Sequence, residues 1–421
     1  MVQKFVLSPI KKFWNKLGPG FITGSSDDDP SGVATYASSG ASFGYSLLWT
    51  TWFTIPLMIA VQEMSARIGL VSGRGVIGVI KHRVPRPLLF ASVGMVVVAN
   101  SINIGANIGA MADASRLLVP NTHFALAAVL IMLVCVLLQV FVPYKRYVHY
   151  LKWLTLSLFS YIAVAFYIHL PWNQIIVEFV MPTFTITRET MLMITAIFGT
   201  TISPYLMFWQ ASEEVEDQIN QGRVSLRERQ GATRREIKDM RFDINFGMIF
   251  SNLVAFFIMM TTAAVLFGTN AEINTAADAA RVLEPLAGKA AGTLFALGIL
   301  GTGFLAVPVL AGSAAYAVSE LFGWRSGLGL SWRQAKGFYG VIALATAVGV
   351  LVNFIGIPPM KALVWTAVIN GFVAPFTILA LLVAGNDKAA LGEHVNGRLS
   401  NVFGVITLMV MASSIILYFI L

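Results

Sequence analysis

Asp27, Asp28 and Asp29 stand in a row before Pro30, at the centre of an apolar stretch, residues 17–42, that is long enough to cross a lipid bilayer. An ionised carboxylate at mid-bilayer costs about 2.5 to 3.5 kcal/mol on insertion scales, so three of them require something positive to visit. The neighbours disfavour a helix interior: Ser25 and Ser26 precede the acids, and Ser31 and Gly32 follow the proline. Pro30 has no backbone N–H to donate and Gly32 adds freedom, so the chain is expected to unwind here between two half-helices. Such a break exposes carbonyls and helix ends to a ligand.

A second break is expected in residues 191–215, where Gly199-Thr200-Thr201-Ile202-Ser203-Pro204-Tyr205 again sets a proline and small polar residues inside an apolar run. Read singly, residues 17–42 also fit a re-entrant loop with an acidic turn, and Ser203-Pro204 a plain proline kink. The second break falls five spans after the first. Discontinuous helices at corresponding places in two five-helix halves point to an inverted-repeat transporter with its substrate site between them at the bilayer midplane.

The elements that must position these residues are membrane helices. Hydrophobic residues make up 57% of the 421, charged residues only 12%, and the mean hydropathy is +0.74; a soluble domain carries about twice that charge. Eleven apolar stretches are expected to cross the membrane: 17–42 (interrupted), 44–70, 87–113, 123–143, 152–170, 191–215 (interrupted), 245–268, 291–320, 338–353, 361–384 and 401–421. The whole chain reads as one transporter domain, all α, with repeats at 17–170 and 191–384 and an additional helix at 401–421. The amino terminus, with Lys4, Lys11, Lys12 and Lys16, is a short basic arm without the pattern of a cleavable signal. With that arm in the cytoplasm, all but Arg116, Arg188, Arg281, Lys289 and Lys361 of the 29 basic residues fall on the cytoplasmic side. This positive-inside split predicts a multi-pass plasma (inner) membrane protein with an external carboxyl terminus.

Several function classes are excluded. The net charge of +8 is spread over short loops rather than one face, which argues against nucleic acid. The polar segment 216–244 mixes both signs and reads as a solvated helix or linker. Cys135 is the one cysteine and lies in an apolar run, so there is no disulfide framework, and its expected role is packing. His82, His123, His149, His169 and His394 fall at span ends or in loops, with none paired at metal-ligand spacing. No nucleophile and base pair is visible, so the chain is not read as an enzyme. A sodium-coupled carrier of a small organic solute is the alternative on the same scaffold, although clustered aspartates repel an anionic substrate.

Gly18-Pro19-Gly20, Asp29-Pro30, Phe43-Gly44-Tyr45 with Leu47-Leu48-Trp49, Gln62-Glu63, Arg67-Ile68-Gly69 and Ser72-Gly73 resemble the opening of the natural resistance-associated macrophage protein (Nramp) family of divalent-metal transporters. The resemblance implies a LeuT-type fold, a metal between the broken first and sixth helices, the metal as cargo with no cofactor, and no obligate protein partner. The sequence departs from the family at the site. The family's Asp-Pro-Gly-Asn is Asp29-Pro30-Ser31-Gly32 here, and its Met-Pro-His is Ser203-Pro204-Tyr205. Sulfur favours manganese and later transition metals; an all-oxygen, more anionic site suits a hard cation that keeps several waters, as in the magnesium-transporting relatives of the family. Magnesium is therefore the leading candidate and manganese the second.

Asp29 is expected as a direct or water-mediated ligand, with the Thr200 carbonyl and the Ser203 hydroxyl, and with Tyr205 and Asn370 as further donors. Three adjacent carboxylates cannot all face one point, so Asp27 and Asp28 are expected to line the aqueous entry. Met207, one turn beyond Ser203, is the one sulfur to watch. Where the family carries acids and histidines that move protons, this chain has Asn103, Ala106 and Gln210, which implies uncoupled transport. Glu213, Glu214, Glu216 and Asp217 at the end of the sixth span are read as an ordinary solvated helix end, with a proton relay as the alternative.

Overall fold

A chain that enters lipid must satisfy its backbone polar groups internally, and helices do so within one segment. The computed structural model describes residues 18–142, 159–269 and 273–421, and these are helical with connecting turns. The basic arm, His149, the last residue of the fourth stretch and the start of the fifth lie outside the described residues. The elements that matter here are α1 (Pro19–Asp27), α2 (Pro30–Phe43), α3 (Trp49–Ser72), α4 (Arg86–Leu118), α5 (Phe124–Phe141), α6 (Phe159–Tyr167), α7 (Arg188–Thr201), α8 (Pro204–Asn220), α9 (Arg234–Leu266), α10 (Ala291–Phe322), α11 (Lys336–Val350), α12 (Pro359–Gly385) and α13 (Arg398–Ile420). Among the described residues nine helical stretches are long and apolar enough to cross a membrane. The remaining two of the eleven are the first, cut into α1 and α2, and the fifth, of which α6 is the described part.

The two breaks have the same local grammar. Asp28 and Ile202 end their half-helices with φ/ψ of −80/44 and −112/57; Asp29 and Ser203 follow in extended conformation at −69/170 and −71/128; Pro30 and Pro204 then open the next half-helix. Each step has a cause. A residue before proline is pushed out of the helical region, and proline is tolerated at the first helical position because no N–H is needed there.

Packing distinguishes the centre of the molecule from its edge. The broken pair α7 and α8 has 89% of its most apolar window buried, against 22% for the last helix, α13. Both α1 and α2 pack on α9, α7 packs on α12, and α8 packs on α3 and α10. At Gly199 the approach of α7 to α12 is backbone to backbone: an added Cβ would collide with the Ala367 carbonyl and the Gly371 nitrogen. The polar segment 216–244 is shorter than its charge suggests, because α8 continues to Asn220 and α9 already starts at Arg234. Thr233 caps α9 in a box with Glu236, which is why the helix begins within the charged run. Cys135 is free and buried, a packing residue.

Candidate metal site

The breaks face each other. A Cβ on Gly32 would stand 3.5 Å from Thr200 Oγ1, and one turn along α2 the Tyr36 hydroxyl lies 3.1 Å from Thr201 Oγ1. Asp29 is held by its own turn as the N-cap of α2: Oδ1 accepts from the Ser31 hydroxyl at 2.6 Å and from Gly32 N at 2.8 Å. Its Oδ2 takes the amide of Asn107, on α4, at a longer 3.2 Å. Each carboxylate oxygen has two lone-pair directions, so Oδ2 keeps capacity for a further partner.

Asp27 and Asp28 answer to α9. The Ser251 hydroxyl lies 2.8 Å from Asp27 Oδ2 and 3.3 Å from Asp28 Oδ1, and Asp27 Oδ1 has no partner. These acids do not line an aqueous entry in this conformation. Asp27 is fully buried and Asp28 is 2% exposed, because α9 covers the break. Among the described residues no lysine, arginine or histidine pairs with Asp27, Asp28 or Asp29. Nor do three acidic, histidine or cysteine side chains converge there in metal-holding geometry, so the three carboxylates by themselves do not form a cage. Further donors have to come from the second break and from water.

At the second break the Ser203 hydroxyl donates to the Thr200 carbonyl at 2.5 Å and stands 3.1 Å from the Gly199 carbonyl. Two of the expected ligands thus engage each other, while the Ser203 oxygen keeps its lone pairs for a cation. The Tyr205 phenol, 1% exposed, is buried in the first turn of α8, two residues after Ser203. Asn370 precedes Gly371, the residue that Gly199 touches; it is 1% exposed and neither atom of its amide has a partner. A buried polar group left unpaired costs about 1–3 kcal/mol, so this amide is out of place unless a ligand or water meets it. Asn103 Nδ2 and Asn107 Oδ1 are orphaned in the same way, although Asn103 Oδ1 accepts from Thr366 at 3.1 Å and from Asn107 at 2.9 Å.

Asn107 and Ser251 are the residues that sequence reading missed. The signal for the first was present: Asn100, Asn103 and Asn107 fall at i, i+3 and i+7, one face of an otherwise apolar helix. Gln210 is also buried and bridges two segments, accepting from Thr23 at 2.6 Å and donating to Glu214 at 2.9 Å. Glu214 is therefore an interior group, 6% exposed, and the solvated reading of that helix end is corrected: α8 stays covered through this turn. Glu213 and Glu216, at 8% and 9% exposed, share that burial. Met207 is fully buried, with its carbonyl accepting from the Ser65 hydroxyl.

Two discontinuous helices meeting at buried polar residues, inside a shell of long apolar helices, define a multi-pass membrane transporter of the LeuT type. The chain belongs to the Nramp family: the family model described as natural resistance-associated macrophage protein-like matches residues 20–421. Members of this family are metal transporters, not enzymes, and carry the metal as substrate without a cofactor. The divalent metal cation transporter MntH of Pectobacterium carotovorum is 26% identical over 394 residues, 91% of this chain and 88% of that protein. The crystal structure of the Eremococcus coleocola manganese transporter superposes with a TM-score of 0.75 at 19% identity, covering 96% of this chain and 86% of that one. Mhp1 in its inward-facing conformation follows at 0.51 and 13% identity, covering 94% and 90%, so the shared architecture extends beyond the family. An organic-solute carrier finds no support in the family.

Proposed function

We propose that this chain carries hard divalent cations across the membrane by alternating access, Mg2+ foremost and Mn2+ second, without moving protons. The observation that carries the reading is the set of three buried carboxylates with no basic partner, facing oxygen donors at a second break. Buried charge without a counter-ion costs several kcal/mol per ion, and a divalent cation with part of its water shell offsets that cost. Asp29 Oδ2, the Thr200 carbonyl and the Ser203 hydroxyl would hold it, with Tyr205 and Asn370 at its waters and Asp27 and Asp28 supplying charge. The set contains no sulfur, which favours a hard ion over a soft one.

The side chains Asn103 and Gln210 are neutral and supply no titrating relay; Glu214, which accepts from Gln210, is read as a structural acid, so the ion gradient and the membrane potential would drive transport. Two charges crossing 100 mV gain roughly 4.6 kcal/mol, at about 2.3 per elementary charge. The amino terminus is assigned to the cytoplasm and the carboxyl terminus to the outside, with residues 17–170 and 191–384 as the repeats and 401–421 as an addition. The test is parallel uptake of Mg2+ and Mn2+ into proteoliposomes, with Asp29→Asn as control. Uptake of both, lost in the variant, supports the reading; Mn2+ uptake without Mg2+ would refute the hard-ion assignment, and uptake of neither would refute transport of divalent metals.

A further inference from the structure

Half-helix α1 is nine residues long, and one neighbour, α9, holds both of its ends. At the amino end Asp243 Oδ1 accepts from Gly18 N at 2.8 Å and Phe21 N at 3.1 Å, while Oδ2 accepts from Gly20 N at 2.6 Å. At the carboxyl end Ser251 reaches Asp27. The rise from Asp243 to Ser251 is about 12 Å at 1.5 Å per residue, close to the length of α1, so the two helices run parallel and in register. Between these ends the packing is backbone to backbone: a Cβ on Gly24 would collide with the Gly247 carbonyl, and one on Gly20 would stand 2.8 Å from Ile244 N. Thr23 adds a tie to α8 through Gln210.

A cleft of 470 Å³ opens beside the amino end of α1, lined among others by Gly18, Pro19, Leu70, Glu214, Gln218 and Asp243. Half-helix α1 is thus a wall between that cleft and the three aspartates that follow it. The attachments of the wall are unequal. Along its length the hold on α9 is van der Waals contact between glycines, with the one tie from Thr23 to α8, whereas at the cleft a single side chain takes three backbone N–H groups. Those N–H groups have no partner within the first turn of a helix; Gly18 already lines the cleft, and the tilt that frees Gly20 and Phe21 from Asp243 would carry them to the same water. Tilting α1 away from Asp243 therefore leaves no buried donor unsatisfied, and it opens Asp27, Asp28 and Asp29 toward the cytoplasmic side.

We propose that Asp243 is the latch of the inner gate: its carboxylate holds the amino end of α1 shut against α9, and its release sets how often the site opens to the cytoplasm. The inference rests on the alternating-access reading above. Asp243 is a positioning residue in this role, with no contact to the ion.

The test uses the full chain in proteoliposomes, with Cys135→Ser and a reporter Ser26→Cys behind the wall, where the parent side chain is 1% exposed, labelled from the amino-terminal face by a membrane-impermeant maleimide. Asp243→Asn, which keeps the shape and loses the charge, is expected to raise the labelling rate at least fivefold, and Asp243→Glu to return it toward the parent. An unchanged rate in a folded Asp243→Asn protein would overturn the proposal. Should that variant fail to fold, Phe21→Cys with Phe246→Cys, whose parent rings lie 5.8 Å apart, is bridged by a cleavable thiol crosslinker with Asp243 intact. Uptake of Mg2+ is then expected to stop and to return on cleavage; undiminished uptake in the bridged protein would overturn the latch. Labelling needs no transport, so a failure of the metal-transport reading is seen separately as absent uptake with a normal gating response.

Discussion

Asn107 donates its amide to Asp29 Oδ2 at 3.2 Å while the two residues before the next turn, Ser31 and Gly32, occupy Oδ1. The contact divides the carboxylate into a structural oxygen, committed to the N-cap of α2, and a second oxygen aimed by α4. On the proposed function, that second oxygen is the one that would meet the ion.

Asn107→Leu is therefore expected to loosen the aim of Asp29 without removing it. A hydrogen bond to a charged group contributes about 1.5–3 kcal/mol, and about 1.4 kcal/mol corresponds to a factor of ten. The KM for Mg2+ uptake should rise roughly tenfold, with the maximal rate little changed. A variant with parental KM would show that Asn107 does not position the site.

Ser203→Met returns a thioether to the second break. A soft donor in place of a hydroxyl should shift preference from Mg2+ towards Mn2+ by about tenfold, read as the ratio of uptake in competition. The side chain is fully buried in the parent, so the purified variant is first checked for a monodisperse fold. A folded Ser203→Met protein with the parental ratio would mean that Ser203 does not face the ion.

The architecture was largely legible because lipid imposes it. Stretch length gave the spans, and the two X-Pro steps gave the breaks at Asp29-Pro30 and Ser203-Pro204, where the backbone does depart from helix. Long-range pairing was not legible. That Ser251 would sit over Asp27 and Asp28, or Asp243 at the amino end of α1, depends on the register of α9, which hydrophobicity does not encode in a helix packed on glycines. The same gap explains the misplaced vestibule: three acids in a row suggest solvent, and only the position of α9 shows that they are covered. The Asn100, Asn103 and Asn107 stripe was readable, but its partner on Asp29 became visible only with the packing of α4.

Gly199 and Gly94 make a matched pair for the role of close packing. A methyl at Gly199 meets backbone of α12 that cannot rotate away, whereas at Gly94, within α4, nothing lies within 4 Å. Gly199→Ala should destabilise the detergent-solubilised protein by about 1–3 kcal/mol, seen as a lower melting temperature and weaker uptake. Gly94→Ala should be neutral or stabilising by about 0.5–1 kcal/mol, since alanine restricts the helix backbone. Equal melting temperatures for the two variants would contradict the contact between α7 and α12.

Uptake without proton coupling has an electrical signature. Asn107 at Asp29, and Gln210 further along α8, are amides that do not titrate in the physiological range, no histidine among the described residues lies in a break, and the buried acid that remains beside Gln210 is Glu214. With an inside-negative potential of 100 mV, the gain of roughly 4.6 kcal/mol for two charges permits accumulation of over a thousandfold. Mg2+ entry into proteoliposomes should therefore rise steeply with a potassium-diffusion potential and stay flat when only a pH gradient is imposed, while a trapped pH dye records no acidification. Acidification that tracks metal entry, and that disappears in Asp29→Asn, would establish proton coupling and sink the uncoupled mechanism. A potential-dependent flux with a silent dye would leave the membrane potential and the cation gradient as the drive.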